Sequence, residues 1–200
     1  MTIKALKLLL TLQTKAAFWF ITIYFSLSVI ILIAVPIDAM DETSWFPVSM
    51  MYTPKIYLLI VGAVYPLLAT KLFVSQGLTR RQFFTALTGA ISIVSLLLLV
   101  PVLACAFYTD GISLLSVMIH YFQMPLFLLI GWTSVLGYQL RKWYLTILGI
   151  LAAIAMFHFV TTIPEIFGFS DLTLFGSVLV LLAMALFILS RAVSQIPLNH

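Results

Sequence analysis

The sequence predicts an all-α integral membrane protein with six transmembrane helices. Hydrophobic residues make up 64% of the 200 residues and charged residues only 8%, so too little polar surface is available to cover a water-soluble core. Apolar runs of about 20 residues, the length that a helix needs to cross a bilayer, recur along the chain. Strands are disfavoured because open sheet edges are unsatisfied in lipid, and because barrel strands are shorter and alternate in polarity.

These apolar runs account for nearly the whole chain, which is interpreted as a single transmembrane domain, 1–200. Each run is close to one bilayer thickness and is bounded by charged or turn-forming residues. The predicted spans are about 18–36, 56–74, 83–108, 112–140, 143–163 and 172–190.

The segment before the first span, 1–16, predicts an amphipathic helix that lies on the inner membrane surface. Its lysines and threonines recur at intervals of three and four residues, which places them on one side of a helix with leucines on the other. The polar side holds Lys4, Lys7, Thr11, Thr14 and Lys15, and the apolar side holds Leu6, Leu9 and Leu10 with Ile3 or Gln13. Because Lys15 interrupts the apolar region and no small-residue cleavage site follows, we expect this segment to be retained.

The charged residues predict the orientation of the spans. Nine of the ten cations fall on one side of the alternating spans, all six anions fall on the other, and Lys55 is the exception. By the positive-inside rule, both termini are expected in the cytoplasm of a cell membrane, interpreted as a bacterial plasma membrane. Topology therefore accounts for the net charge of +4, and nucleic acid is not an expected partner.

Motifs for chemistry in the chain itself are missing from the sequence. It has no Gly-rich phosphate loop ending in Lys-Ser or Lys-Thr, no His and carboxylate pair at metal spacing, and no nucleophile elbow. Its single cysteine, Cys105, has no partner thiol. We therefore predict no catalytic residue, no metal and no cofactor in this chain.

Polar side chains within the spans are few. His120 and Gln123 in span four and His158 in span five can form polar contacts between helices. A neutral, hydrogen-bonded histidine is the simpler interpretation of each, and a ligand or proton role is the other. Lys55 and Lys71 are expected to reach water from opposite ends of span two.

The inner loop between spans two and three is the most informative local feature. Gly77 breaks the preceding span, and Thr79 can cap a short helix begun by Arg80 and Arg81. An ordinary basic inner loop is the alternative interpretation.

The stretch Gly77-Leu78-Thr79-Arg80-Arg81-Gln82-Phe83-Phe84 resembles the Gly-x-Ser/Thr-Arg-Arg/Lys-x-Phe-Phe motif that follows the second span in membrane subunits of type-2 ABC exporters. The predicted architecture is similar to that of the family over the whole chain. The segment 162–171 looks like the short or re-entrant helices that the family places between spans five and six. The chain is small for the family, and it has little inner loop between spans four and five.

The resemblance implies a transporter permease that forms half of a pore with a second permease subunit, identical or different. It would export a peptide, drug-like or amphipathic substrate. ATP and Mg would bind a separate cytoplasmic ABC ATPase, which docks on the loop after span two. The implied coupling residues are Gln76, Gly77, Leu78, Thr79, Arg80, Arg81, Phe83 and Phe84. Of these, Leu78, Phe83 and Phe84 would be exposed apolar anchors beside the two arginines.

Two other function classes fit the same topology. One is an intramembrane enzyme that uses His120, His158 or Glu165 near the outer surface, although no motif supports it. The other is a non-catalytic assembly or immunity protein that binds partners within the membrane lipid.

Overall fold

The computed structural model describes residues 2–34, 45–75, 77–108 and 113–196 of the chain. These residues form six long helices and one short helix, and none of them lies in a strand. The helices are α1 Thr2–Ala34, α2 Trp45–Ser75, α3 Arg80–Tyr108, α4 Leu114–Gln139, α5 Trp143–Thr161, α6 Ile163–Phe167 and α7 Asp171–Val193. The predicted all-α class is confirmed for the described residues.

Among the described residues, five helices are long and apolar enough to cross a membrane. They are Tyr52–Thr70, Arg80–Val100, Leu114–Gln139, Trp143–Thr161 and Asp171–Val193. These segments coincide with predicted spans two to six, with shifts at their ends. The chain therefore has the architecture of a multi-pass helical membrane protein.

Helix α4 lies at the centre of the bundle. It packs against α2, α3, α5 and α7, and half of its candidate span (50%) is buried, compared with 56% for α3, 11% for α5 and 17% for α7. Its large side chains from Met124 to Trp132 form much of the core. The apolar faces that α5 and α7 leave uncovered are what lipid solvation requires.

Short polar caps set the ends of these helices. The hydroxyl of Ser113 accepts a hydrogen bond from the amide of Ser116 (3.1 Å) at the start of α4, and Ser170 caps α7 in the same way. Between α4 and α5 the chain reverses at Arg141, which has a left-handed φ of 57°. The amide of Lys142 donates to the carbonyl of Gly137 (3.1 Å), which satisfies a free carbonyl at the end of α4.

The N-terminal segment differs from the expectation. Helix α1 runs from Thr2 to Ala34 without a break, so the structure does not divide it into a surface helix at 1–16 and a first span at 18–36. The predicted faces are present, because Leu9 and Gln13 are buried while Lys7 and Lys15 are exposed. The buried face packs against the bundle, mainly along α3. Its position on the inner membrane surface stays a prediction.

The segment between α5 and α7 contains the short helix that the resemblance led us to expect. Helix α6 spans only Ile163–Phe167, and Gly168 ends it with a left-handed φ of 60°. Ile166 and Phe167 are about 70% exposed (69% and 70%). The helix therefore presents an apolar surface at this end of the bundle.

Candidate functional site

The predicted coupling loop is a tight turn between α2 and α3. Gly77 has a φ of 87°, a left-handed conformation that glycine adopts without steric cost. The amides of Gly77 and Leu78 donate to the carbonyls of Val74 (3.0 Å) and Phe73 (3.2 Å), which satisfies the last turn of α2. Gln76 lies outside the described residues. The chain therefore reverses direction within a few residues.

Thr79 caps the following helix, as predicted. Its hydroxyl accepts a hydrogen bond from the amide of Gln82 (3.2 Å), and the Gln82 side-chain oxygen accepts one from the amide of Thr79 (3.0 Å). This reciprocal pair is a capping box. The helix that it starts is α3 itself, with 29 residues, so the expectation of a separate short helix is wrong. No helix-breaking residue separates Arg80 and Arg81 from the apolar run of α3.

The apolar residues of the motif are buried, which corrects the expectation that they are exposed docking anchors. Leu78, Phe83 and Phe84 are 8%, 0% and 6% exposed. The ring of Phe83 lies 5.5 Å from that of Phe73 and 6.2 Å from that of Trp132. Because α3 begins at Arg80, its first turn already packs against α2 and α4.

We call Phe73, Phe83, Phe84 and Trp132 the aromatic cluster. The ring centres of Phe84 and Trp132 are 5.3 Å apart, and the indole nitrogen of Trp132 donates to the side-chain oxygen of Gln139 (3.1 Å). The cluster joins the end of α2, the start of α3 and the last turns of α4. The turn between α2 and α3 is therefore packed directly against the central helix.

The polar residues of the motif face outward. Arg81 and Thr79 are exposed, and the guanidinium of Arg80 donates to the backbone carbonyl of Ser194 just after α7 (3.2 Å). This bond brings the turn next to the C-terminal end of α7, while Trp132 brings it next to the end of α4. The resulting basic end of the bundle carries Arg80, Arg81, Arg141, Lys142 and Arg191.

A second polar group lies toward the opposite end of the bundle, between α2 and α4. The ammonium of Lys55 donates to the side-chain oxygen of Gln123 over 2.6 Å, and it lies 4.7 Å from the ring centre of Tyr52. Lys55 is only 2% exposed, so the expectation that it reaches water is wrong. Gln123 makes the predicted contact between helices.

The two histidines are not equivalent. His120 is partly buried on α4, and its Nδ1 atom is buried without a hydrogen-bond partner. His158 is exposed and shares a hydrogen bond of 3.1 Å with Thr162 at the end of its own helix. His158 therefore makes a local contact at the end of α5, and the predicted contact between helices is wrong for this residue in the described structure.

Lys55 is the residue that sequence reasoning missed. The signal was present, because Lys55 is the one cation that departs from the charge partition. A cation on the side that holds the anions calls for a local explanation, and the structure shows that Lys55 has an amide partner on another helix.

Metal ligands do not converge in the described part of the chain, where no group of three His, Cys, Asp or Glu residues comes together. Comparisons of the chain with models of protein families, with curated proteins and with solved structures found no match.

Proposed function

We infer that the chain is the permease subunit of an ATP-driven exporter of the type-2 ABC class, in a bacterial plasma membrane with both termini in the cytoplasm. A separate ATP-binding subunit would dock on the turn between α2 and α3 at the basic end, bind ATP and Mg, and hydrolyse the ATP. The observation that carries this proposal is the turn between α2 and α3, which exposes Arg81 while the aromatic cluster holds the turn in the core.

The exposed residues set the chemistry of docking. Thr79 and Arg81 face outward, whereas Leu78, Phe83 and Phe84 are buried. Recognition would therefore be polar, through charge and hydrogen bonds, and an acidic groove on the ATPase would be its complement. This corrects the docking mode that the motif implied but retains its location.

The buried residues set how a docked partner would act on the bundle. The capping box of Thr79 and Gln82 fixes the turn to α3, and the aromatic cluster fixes it to α2 and α4. Arg80 adds a link to the end of α7. Closure of two ATPase subunits would then move several helices together. The path for a peptide, drug-like or amphipathic substrate would lie at the boundary with a second permease subunit, identical or different.

The first prediction tests the docking residue. The chain is co-expressed with any ABC ATPase that is encoded near its own gene and is purified through a tag in mild detergent. We expect Arg81→Glu to lower ATPase capture at least about tenfold, since charge reversal at an interface converts attraction to repulsion. Substrate-stimulated ATP hydrolysis in the purified complex gives a second measurement.

Lys142→Glu is the matched control, because Lys142 is also exposed at the basic end but belongs to the turn between α4 and α5. Capture should survive this change. An unchanged capture with Arg81→Glu would refute docking at this turn. A wild-type chain that binds none of these ATPases would refute the exporter itself and favour an assembly or immunity protein.

A further inference from the structure

The environment of Lys55 is unusual for a lysine. Its side chain is 2% exposed within a candidate membrane span, Tyr52–Thr70. A buried ammonium costs several kcal/mol unless an opposite charge offsets the loss of hydration. Lysines near span ends usually extend to water. Lys55 does not, so its burial requires a compensating group.

The described contacts of Lys55 supply only part of that compensation. An ammonium has three N–H donors. One donates to the neutral amide of Gln123 (2.6 Å), and the ring of Tyr52 lies 4.7 Å away. Neither partner carries a negative charge. The positive charge of Lys55 is therefore not neutralised by these partners.

His120 adds a second polar atom that lacks a partner. It lies three residues before Gln123 on α4, so both side chains occupy the same face of that helix. Its Nδ1 atom is buried and makes no hydrogen bond, and the same helix face carries Gln123, which contacts Lys55. A buried polar atom without a partner destabilises the folded protein. One bound group that engages Lys55 and His120 together would remove both costs.

Apolar residues close in sequence to Lys55 and His120 are exposed on the same two helices. Ile56 and Ile60 on α2 are 48% and 57% exposed, and Met118 on α4 is 43% exposed. His120 is itself partly exposed, so the polar group borders on a surface that suits hydrocarbon. A ligand at this place would combine an anionic group with an apolar tail.

We propose that Lys55, His120 and Gln123 form a binding site for the carboxylate or phosphate group of an anionic amphiphile. A role of this site in binding an exported substrate rests on the proposed function. Binding itself can be tested with this chain alone. Lys55 would supply the positive charge, and His120 would form a second hydrogen bond to the ligand. Gln123 would hold the Lys55 side chain in position. The site lies toward the end of the bundle opposite the basic end.

The test measures thermal unfolding of the purified chain in dodecyl maltoside, with dodecanoate and dodecyl phosphate as probes. We expect either anion to raise the unfolding midpoint by about 3 °C or more at saturation, because a ligand of the folded state stabilises it. Dodecanol, which has the same tail without a charge, should give no comparable shift. Dodecyltrimethylammonium should give none either.

Lys55→Met should abolish the shift. This variant is expected to fold, because replacing a buried charge by an apolar side chain of similar size is often neutral or stabilising. His120→Asn is a second variant, for which we expect a shift reduced by at least half. Lys15→Met removes an exposed lysine instead, so it should retain the full shift.

Two lipid environments distinguish the sources of the anion. The protein is placed in nanodiscs of phosphatidylcholine alone or with added phosphatidylglycerol. Stabilisation by phosphatidylglycerol that requires Lys55 assigns the site to a lipid headgroup. Stabilisation by dodecanoate or dodecyl phosphate that persists in the mixed nanodiscs assigns it to a single-chain amphiphile. Either result supports the site.

Three results would overturn the proposal. One is a shift with dodecanol equal to that with dodecanoate, and another is an undiminished shift in Lys55→Met. The third is a double-mutant cycle in the ligand-free protein in which the stability effects of Lys55→Met and of neutralising an acidic residue of this chain are not additive. Lys55 would then already be paired with that residue. The acidic residues for that cycle are Asp38, Asp41, Glu42 and Asp110. ATPase capture by Lys55→Met should be unaffected, so failure of the site is separable from failure of the exporter.

Discussion

Phe83 and Phe84 show that the role of an aromatic residue depends on whether its ring faces the core or the surface. Both follow two arginines in the sequence, a pattern typical of a docking patch that has apolar anchors within a rim of charge. Because Thr79 caps α3 directly, the first turn of α3 already belongs to the bundle, and both rings point into the core. The arginines, rather than the rings, remain accessible to a partner.

Replacement of Phe83 distinguishes these two roles. Phe83→Ala should destabilise the protein by about 3–5 kcal/mol, because it leaves a cavity among Phe73, Phe84 and Trp132. We expect a clearly lower unfolding midpoint in detergent. Phe18→Ala, at a site that is 61% exposed, should change the midpoint little. A Phe83→Ala protein of normal stability that loses ATPase capture would instead favour the anchor role.

At the scale of helices, α2 and α4 approach each other closely. A Cβ atom added at Gly62 would collide with the backbone of Leu128, and one added at Gly131 would collide with the carbonyl of Leu59. The two helices therefore meet backbone to backbone, which small residues permit in membranes. This crossing lies between the Lys55–Gln123 hydrogen bond and the aromatic cluster.

Alanine at the crossing tests this packing. We expect Gly131→Ala to cost about 1–3 kcal/mol or more, because the helices must separate to admit the methyl group. Gly176→Ala in α7 is the matched control, since a Cβ atom there meets nothing within 4 Å. Its helix propensity should instead improve by up to about 1 kcal/mol. Equal unfolding midpoints for the two variants would contradict the close crossing.

Most helices were predictable from the sequence, but their contacts were not. Apolar length predicts α2 to α5 and α7, and hydroxyl chemistry predicts the cap at Thr79. The neighbours of a side chain could not be predicted in this way, because in lipid both the core face and the lipid face of a helix are apolar. Periodicity therefore could not show that Phe83 is buried or that Lys55 meets Gln123, since each contact depends on which helix packs alongside.

The whole molecule has two chemically different ends. Five arginine and lysine residues lie at the basic end, which joins the ends of α2, α4 and α7 to the start of α3. Toward the other end, Lys55 is held between α2 and α4. If the basic end faces the cytoplasm, the proposed anion site lies in the outer half of the bilayer, on the far side of the crossing of α2 and α4 from the proposed ATPase.

Cysteine labelling in intact cells tests this orientation and the number of spans together. In a Cys105→Ala background, Asp171→Cys at the start of α7 should react with a membrane-impermeant maleimide. Lys142→Cys and Lys7→Cys should react only after permeabilisation, because the positive-inside rule retains basic segments in the cytoplasm. All three native residues are exposed, so access to the cysteine is decided by the membrane.

Outside labelling of Lys142→Cys would show that the topology is inverted. The basic end would then be out of reach of any cytoplasmic ATPase. Outside labelling of Lys7→Cys alone would mean that α1 does not cross, which leaves five spans instead of the predicted six.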